Sequence, residues 1–283
     1  RCGVSAQAAA GIRRPMNVRI GLAQHRIGPD MEENLRQAQR AVLACAGQGA
    51  QLVLLPEMFC CLYQLERLRA CAQPRGGELW KHLRALACQA GVYLLGGSMP
   101  ELDAQGRIYN TSFFFSPAGE ELACYRKCHL FDVSLPGGLC IQESSVFTPG
   151  EQLRVVESPF GKIGLAICFD LRFPEQFRAL ADRGAQLVLV PAAFNSTTGP
   201  AHWEINCRSR ALDNQVFLCA CAPAAAPDGP YPYYGHSMAV DPWGRILTEL
   251  IGEACERVVT LDLDETARIR AQLPLLQSRR PEL

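Results

Sequence analysis

At 283 residues and 31.0 kDa, with 48% hydrophobic residues, the chain can bury a substantial core in one large domain or two small ones. Twenty-eight basic residues balance 28 acidic ones and the sequence pI is near 7.1. Nucleic-acid and membrane-surface proteins usually carry a basic excess, so neither partner is expected. Fourteen cysteines are too few for a disulfide scaffold of this length. There is no C-x-x-C pair and no histidine pair at i,i+4, so no metal is expected, and no cofactor is called for. Most thiols are expected to be reduced and buried, in a cytoplasmic compartment.

Residues 1–15, RCGVSAQAAAGIRRP, hold three Arg, four Ala and no acid. They are set aside as an N-terminal extension, disordered or processed; if they are a transit-peptide remnant, the compartment is organellar. The domain then runs from Met16 to residue 283, because NVRIGLAQ directly after Met16 reads as a strand. Leu35, Ala38, Val42 and Cys45 mark one helical face that stops near Gly47 or Gly49. Strands follow at AQLVLLPE, VYLLGGS and YNTSFFF, with a helix over Glu78–Ala90 before the second of them.

The second half repeats this rhythm. KIGLAICFD, AQLVLVPA, QVFLCACA, GHSMAVD and RVVTLDLD read as strands; Pro174–Arg183, His202–Leu212 and Glu265–Gln272 read as helices. Several of these strands are apolar on both faces, as in sheets covered on both sides. No apolar stretch is long enough to span a bilayer. GAQLVLLPE (49–57) echoes GAQLVLVPA (184–192), differing chiefly at the last residue. Two similar halves would each supply a sheet, and the expected architecture is a single-domain α/β fold, a four-layer α-β-β-α sandwich.

The echo also marks a chemical difference, because Glu57 stands where the other strand places Ala192. A carboxylate past a buried strand is either a solvated loop acid or a partnered group in a cleft. Lys127 and Glu143, each taken alone, are compatible with ordinary surface residues. His129 beside Asp132 admits a Cys–His dyad or a structural histidine. Cys168 lies between an apolar run and the charged turn DLRFPE, and reads as a nucleophile or a buried small hydrophobe. Together, Glu57, Lys127 and Cys168 offer a base, a cation and a thiol, each at a strand end, which is the set an acyl transfer requires.

These residues sit in LLPEMF, YRKCHLFD and ICFDLRFPE, and with those motifs the sequence resembles the nitrilase, or carbon–nitrogen hydrolase, superfamily over residues 17–283. Within it, GGSMPE, FNSTTGPAHWE, RSRALDNQVF and GHSMAVDPWG resemble the omega-amidase branch. The resemblance implies a Glu-Lys-Cys set at Glu57, Lys127 and Cys168, supported by Glu143. It implies hydrolysis of the terminal amide of a short dicarboxylic acid monoamide, such as 2-oxoglutaramate, through a cysteine thioester. Glu57 would serve as general base and acid, Lys127 and the Phe169 N–H would hold the oxyanion, and Glu143 would orient Lys127. The ammonium of Lys127 is expected to favour the thiolate.

For the distal carboxylate, Arg172 is the natural cation, unless it pairs with Asp170 or Glu175. Phe169, Tyr63, Phe194 and Thr198 complete the substrate site implied by the resemblance, while Asn195 and His202 are read as structural. Leu62, Cys128 and Phe169 depart from the expected pattern. A sister amidase acting on deaminated glutathione or N-carbamoyl compounds, a true nitrilase, a thiol or redox protein and a silent binding protein remain alternatives. A homodimer or larger homo-oligomer is expected, paired through a Phe177, Leu180, Ala181 stripe and a clasp at LPLL after Leu273.

Overall fold

Alternation along the first strand shows how the layers arise. In the computed structural model, which describes residues 17–134 and 140–280, Val18, Ile20 and Leu22 face one side of β1 (Asn17–Gln24) and Ala23 the other. The extension expected over residues 1–15, with Met16, lies outside the described residues. Next come α1 (Met31–Gly47), β2 (Leu52–Leu54), α2 (Leu65–Ala70), α3 (Glu78–Ala90), β3 (Tyr93–Leu95), β4 (Met99–Leu102), β5 (Ile108–Phe115) and β6 (Glu121–Arg126). A hairpin of β7 (Asp132–Ser134) and β8 (Cys140–Gln142) follows. The second half holds β9 (Arg154–Ser158), β10 (Gly161–Leu165), α4 (Pro174–Asp182), β11 (Leu187–Pro191), α5 (Gly199–Asn214), β12 (Phe217–Cys221), β13 (Ser237–Val240) and β14 (Ile246–Leu250). β15 (Cys255–Asp262) and α6 (Asp264–Gln272) close the order.

The first sheet runs β15-β1-β2-β3-β5-β4, with β6 also on β5; the second runs β14-β13-β12-β11-β10-β9. Each has a parallel centre, β1-β2-β3 and β10-β11-β12, so the sequence echo is a structural echo. Leu52 and Leu54 of β2 join Ile163, Leu165, Leu187 and Leu189 in the core between the sheets. Val53 and Leu55 instead meet Ala38, Ala41 and Val42 of α1 and Leu79, Leu83 and Leu86 of α3. Both faces of β2 are therefore buried, which is why its sequence is a continuous apolar run. The expected α-β-β-α sandwich is the fold observed, with α4 and α5 covering the second sheet.

Helix ends follow local chemistry. Asp30 caps α1 by accepting from the N–H groups of Glu32 and Glu33 at 2.9 and 3.4 Å, and α4 begins with Pro174.

One expectation about assembly is corrected. Phe177, Leu180 and Ala181 are 0%, 0% and 4% exposed within the single chain, packed in the main core. That stripe satisfies the amphipathic pattern of α4 on its own sheet and offers nothing to a second copy. In the tail, Gln215 donates to the Leu273 carbonyl at 2.6 Å, Leu276 packs against the core and Arg279 pairs with Asp182 at 2.6 Å, while the Leu273 and Leu275 side chains of the expected clasp stay 39% and 37% exposed. The cysteine expectation holds only in part. Thirteen described cysteines are free, but seven of them, including Cys88 and Cys140, are partly or fully exposed. Those seven sit on half-buried strands, turns and helix flanks rather than in the core. Among the described residues no helix is long and apolar enough to cross a membrane.

Candidate active site

Glu57 follows β2 in a sharply bent segment. Met58, next in the chain, has φ of 50°, and Gly97 has φ of 61°. A Cβ on Gly97 would stand 2.1 Å from the Pro56 carbonyl, so only glycine lets these two turns meet. Ser98 completes the clamp: its N–H donates to Pro56 O at 3.3 Å, and its Oγ accepts from the Met58 N–H at 3.1 Å. Glu57 is fully buried, so the solvated-acid alternative falls. Its Oε1 accepts from Asn110 Nδ2 at 2.8 Å and Lys127 Nζ at 3.0 Å. Its Oε2 has no such donor, and the Cys168 thiol is its neighbour on that carboxylate.

Lys127 lies one residue beyond β6, pinned by its N–H to Asn110 O at 2.8 Å. It is buried, not a surface lysine, and its Nζ lies 2.9 Å from Glu143 Oε2. Glu143 opens a 3-10 turn over Glu143–Ser145 and is itself held by the Phe131 N–H at 2.6 Å and by the Tyr63 hydroxyl. The cation thus bridges two buried carboxylates, each locked by further donors. An ammonium is tolerated at such depth only with this degree of pairing.

Cys168 begins a 3-10 turn over Cys168–Arg172, with φ of 45°, in the left-handed region. Such a conformation in a non-glycine residue is strained by about 1–3 kcal/mol and needs support. Asp170 supplies it: its carboxylate accepts from the Ile167 N–H at 2.9 Å, the Tyr125 hydroxyl at 2.6 Å, and the His129 N–H and Nδ1 at 3.0 and 2.8 Å. His129 stacks on Phe173 and serves Asp170, not Asp132, so its structural reading stands and the Cys–His dyad does not. The Ala193 N–H donates to Cys168 Sγ at 3.5 Å.

Electrostatics follow from burial. Desolvation raises Glu57 above the ordinary carboxylate range, Lys127 works against that, and the Glu143 charge adds to it. Burial pulls Lys127 down, but Glu143 and then Glu57 outweigh it, and the ammonium stays charged. Burial, with Glu57 behind it, pushes the Cys168 thiol well up, and Lys127 offsets only part of this. Lys127 thus favours the thiolate, as expected, but does not outweigh burial and Glu57.

Above the thiol lies a pocket with about 200 Å³ of empty space. Phe169, Arg172, Phe194 and Thr198 line it as expected from the sequence, together with Phe131, Asn195 and Tyr231. Tyr63 does not line it; its ring packs on Tyr231 and its hydroxyl is committed to Glu143. Arg172 forms no ion pair with Asp170, whose oxygens are occupied, or with Glu175. It lies over the rings of Phe194 and Phe169, 5.1 and 5.7 Å from their centroids. Sequence reasoning missed Asn110 and Tyr231. The one available signal for Asn110 was an amide among the aromatics of YNTSFFF; Tyr231 lies in a loop without periodicity. A larger groove, with about 920 Å³ of empty space, lies elsewhere, and its Arg75, Arg107 and Arg126 are already paired with Glu121, Asp103 and Glu101. No metal-ligand cluster occurs among the described residues.

Known proteins resemble the chain over most of its length. The family model described as carbon-nitrogen hydrolase matches residues 19–271. The omega-amidase NIT2 of Mus musculus is 42% identical over 265 residues, spanning 94% of this chain and 96% of that one. The crystal structure of Saccharomyces cerevisiae Nit3, of branch 10 of the nitrilase superfamily, has 34% identity and a TM-score of 0.85, covering 93% of this chain and 97% of that chain. An amidase of Nesterenkonia sp. AN1, in a mutant with the acetamide moiety of fluoroacetamide on its active-site cysteine, has 32% identity and a TM-score of 0.79, covering 94% of this chain and 95% of that chain. The chain belongs to the carbon–nitrogen hydrolase family of the nitrilase superfamily.

Proposed function

We propose that this enzyme hydrolyses the terminal amide of a short dicarboxylic acid monoamide, such as 2-oxoglutaramate or succinamate, to the dicarboxylate and ammonia. The observation that carries the reading is a half-buried Arg172 with no carboxylate partner among the described residues, at the mouth of a small pocket that Cys168 also lines. A guanidinium so placed suits a substrate with one amide end and one anionic end. The omega-amidase relative accords with it.

The chemistry proceeds through a thioester. Glu57 takes the Cys168 proton as the sulfur attacks the amide carbon. Lys127 and the Phe169 N–H hold the oxyanion as it forms, and Glu143 fixes Lys127 for that task. Glu57 returns its proton to the departing ammonia, then activates water to release the acid. Phe169, Phe194 and Thr198 border the substrate; Tyr63 acts from behind by steadying Glu143. The Ala193 N–H holds the sulfur in place for attack.

A panel of omega-amides, simple amides, nitriles and N-carbamoyl compounds tests this reading. Highest kcat/KM on an omega-amide bearing a distal carboxylate supports it; preference for a nitrile, a carbamoyl compound or a peptide-like amide rejects it in favour of a sister activity.

The enzyme is further inferred to work as a homodimer in a reducing, cytoplasmic compartment. The free thiols support the compartment. Support for the dimer is a patch left uncovered on one chain: Ile205 and Leu212 of α5 with Trp243, which are 63%, 42% and 50% exposed and border one groove. Light scattering of wild type against Ile205→Asp reads the assembly; a monomeric wild type rejects it.

A further inference from the structure

His202 has no role in the chemistry above, yet among the described residues it makes the one directed polar contact of Arg172: the guanidinium Nη1 lies 3.0 Å from His202 Nδ1. A guanidinium has only donors, so in this contact Nδ1 is the acceptor. The two remaining supports of Arg172 are the Phe194 and Phe169 faces. Aromatic faces attract a cation but do not fix its rotation, whereas a hydrogen bond along one N–H does. One edge of the guanidinium is thus tied to α5, and the other edge is left for the pocket.

The environment of Arg172 points the same way. Burial lowers its pKa, and the groups acting in the opposite sense are Cys168 and Tyr231, so no carboxylate among the described residues compensates the partly desolvated charge. His202 is well placed to supply orientation because α5 also shapes the pocket: Thr198, which precedes its first turn, donates from N–H and Oγ1 to Asn195 Oδ1 at 2.9 and 3.3 Å.

We propose that His202 is a positioning residue: through Nδ1 it fixes the guanidinium of Arg172 at the pocket mouth and so sets the preference for amides with a distal carboxylate. This rests on the function proposed above, and goes beyond it by assigning the residue that aims the cation.

The test compares succinamate with butyramide, which has the same carbon chain and amide but no carboxylate, in wild type, His202→Ala and His202→Asn. Asparagine can place Oδ1 near the position of Nδ1 and restore the acceptor. The preference ratio, kcat/KM for succinamate over that for butyramide, is expected to fall about three- to tenfold in His202→Ala, the scale of one solvent-accessible hydrogen bond. The loss should appear in KM for succinamate rather than in kcat, and His202→Asn should recover most of it. A wild-type ratio near one overturns the functional reading and this inference together. A high wild-type ratio that survives in His202→Ala, a loss shared equally by both substrates, or a loss confined to kcat overturns the role of His202 alone.

Discussion

The N–H of Glu57 donates to the carbonyl of Ala192 at 3.4 Å, joining the ends of the two strands that echo each other in sequence. β2 and β11 each lie at the centre of a parallel triplet, one per sheet, and their tips meet at the site. At that junction the first strand supplies the carboxylate. The second supplies two alanines, and the N–H of the second alanine, Ala193, reaches the Cys168 sulfur. The repeated half thus gives one scaffold twice, and the difference at its last residue gives the chemistry.

Cys168→Ala is expected to abolish turnover while leaving the fold and its melting temperature nearly unchanged. Conservative replacement of the exposed Cys88 or Cys140 should leave substantial activity. Steady-state rates with circular dichroism check this; wild-type turnover in Cys168→Ala would remove the thiol from the mechanism.

Glu57→Gln and Lys127→Met should each lower kcat by at least about 10²-fold, the scale for losing proton transfer or oxyanion stabilisation. The second should also unfold more easily, because two buried carboxylates lose their shared cation; breaking a buried pair costs about 3–5 kcal/mol. Rates normalised to folded protein separate the effects, and near-wild-type kcat in either variant rejects the role assigned to it.

The acid limb of kcat/KM should lie above the ordinary glutamate range. Burial and Glu143 raise Glu57, and its base function is present above that raised pKa and lost as pH falls through it. Glu143→Gln removes one of the raising charges, so the limb should move to lower pH even as kcat falls. The limb belongs to the coupled cluster rather than to one residue. A limb that stays put or moves upward in this variant contradicts the assignment.

His25 offers a stability test away from the site. Its ring is buried, with Nδ1 and Nε2 at 3.3 and 3.2 Å from the Ala23 and Phe59 carbonyls. Burial lowers its pKa from 6.5, against the smaller raising effect of Phe59 and then Ala23. The folded state therefore binds fewer protons here than the unfolded chain. Stability is full above about 6.5 and declines as pH falls from there toward the depressed folded-state value. Melting temperature against pH should drop in this window for wild type and drop less for His25→Asn; equal slopes count against the burial account.

The parallel core strands were legible because burial on both faces writes a continuous apolar run, as in LVLLP and LVLVP. α3 was legible to the residue because Gly91 ends it in the left-handed conformation, with φ of 64°. Strands β9 and β14 were not, because they are mixed in burial and carry no clean period. The short helix Leu65–Ala70 buries only Leu68, too little for a periodic signal. The pairing of Glu57, Lys127 and Cys168 could be inferred from strand ends and from the family motifs. What escaped were contacts made by long-range folding: Asn110 on Glu57, Tyr63 on Glu143, Asp170 under the nucleophile turn, and the freedom of Arg172 from its neighbours Asp170 and Glu175. Periodicity likewise cannot distinguish a stripe that packs on its own sheet from one that meets another copy, which is why α4 misled.

The measurement that bears most directly on the central claim is mass spectrometry of the enzyme acid-quenched during turnover of succinamate, with peptide mapping. The predicted result is an acyl group equal to the substrate less ammonia, carried by the peptide containing Cys168 and absent from Cys168→Ala. An acyl group on a different residue, or wild-type turnover by Cys168→Ala, would contradict it.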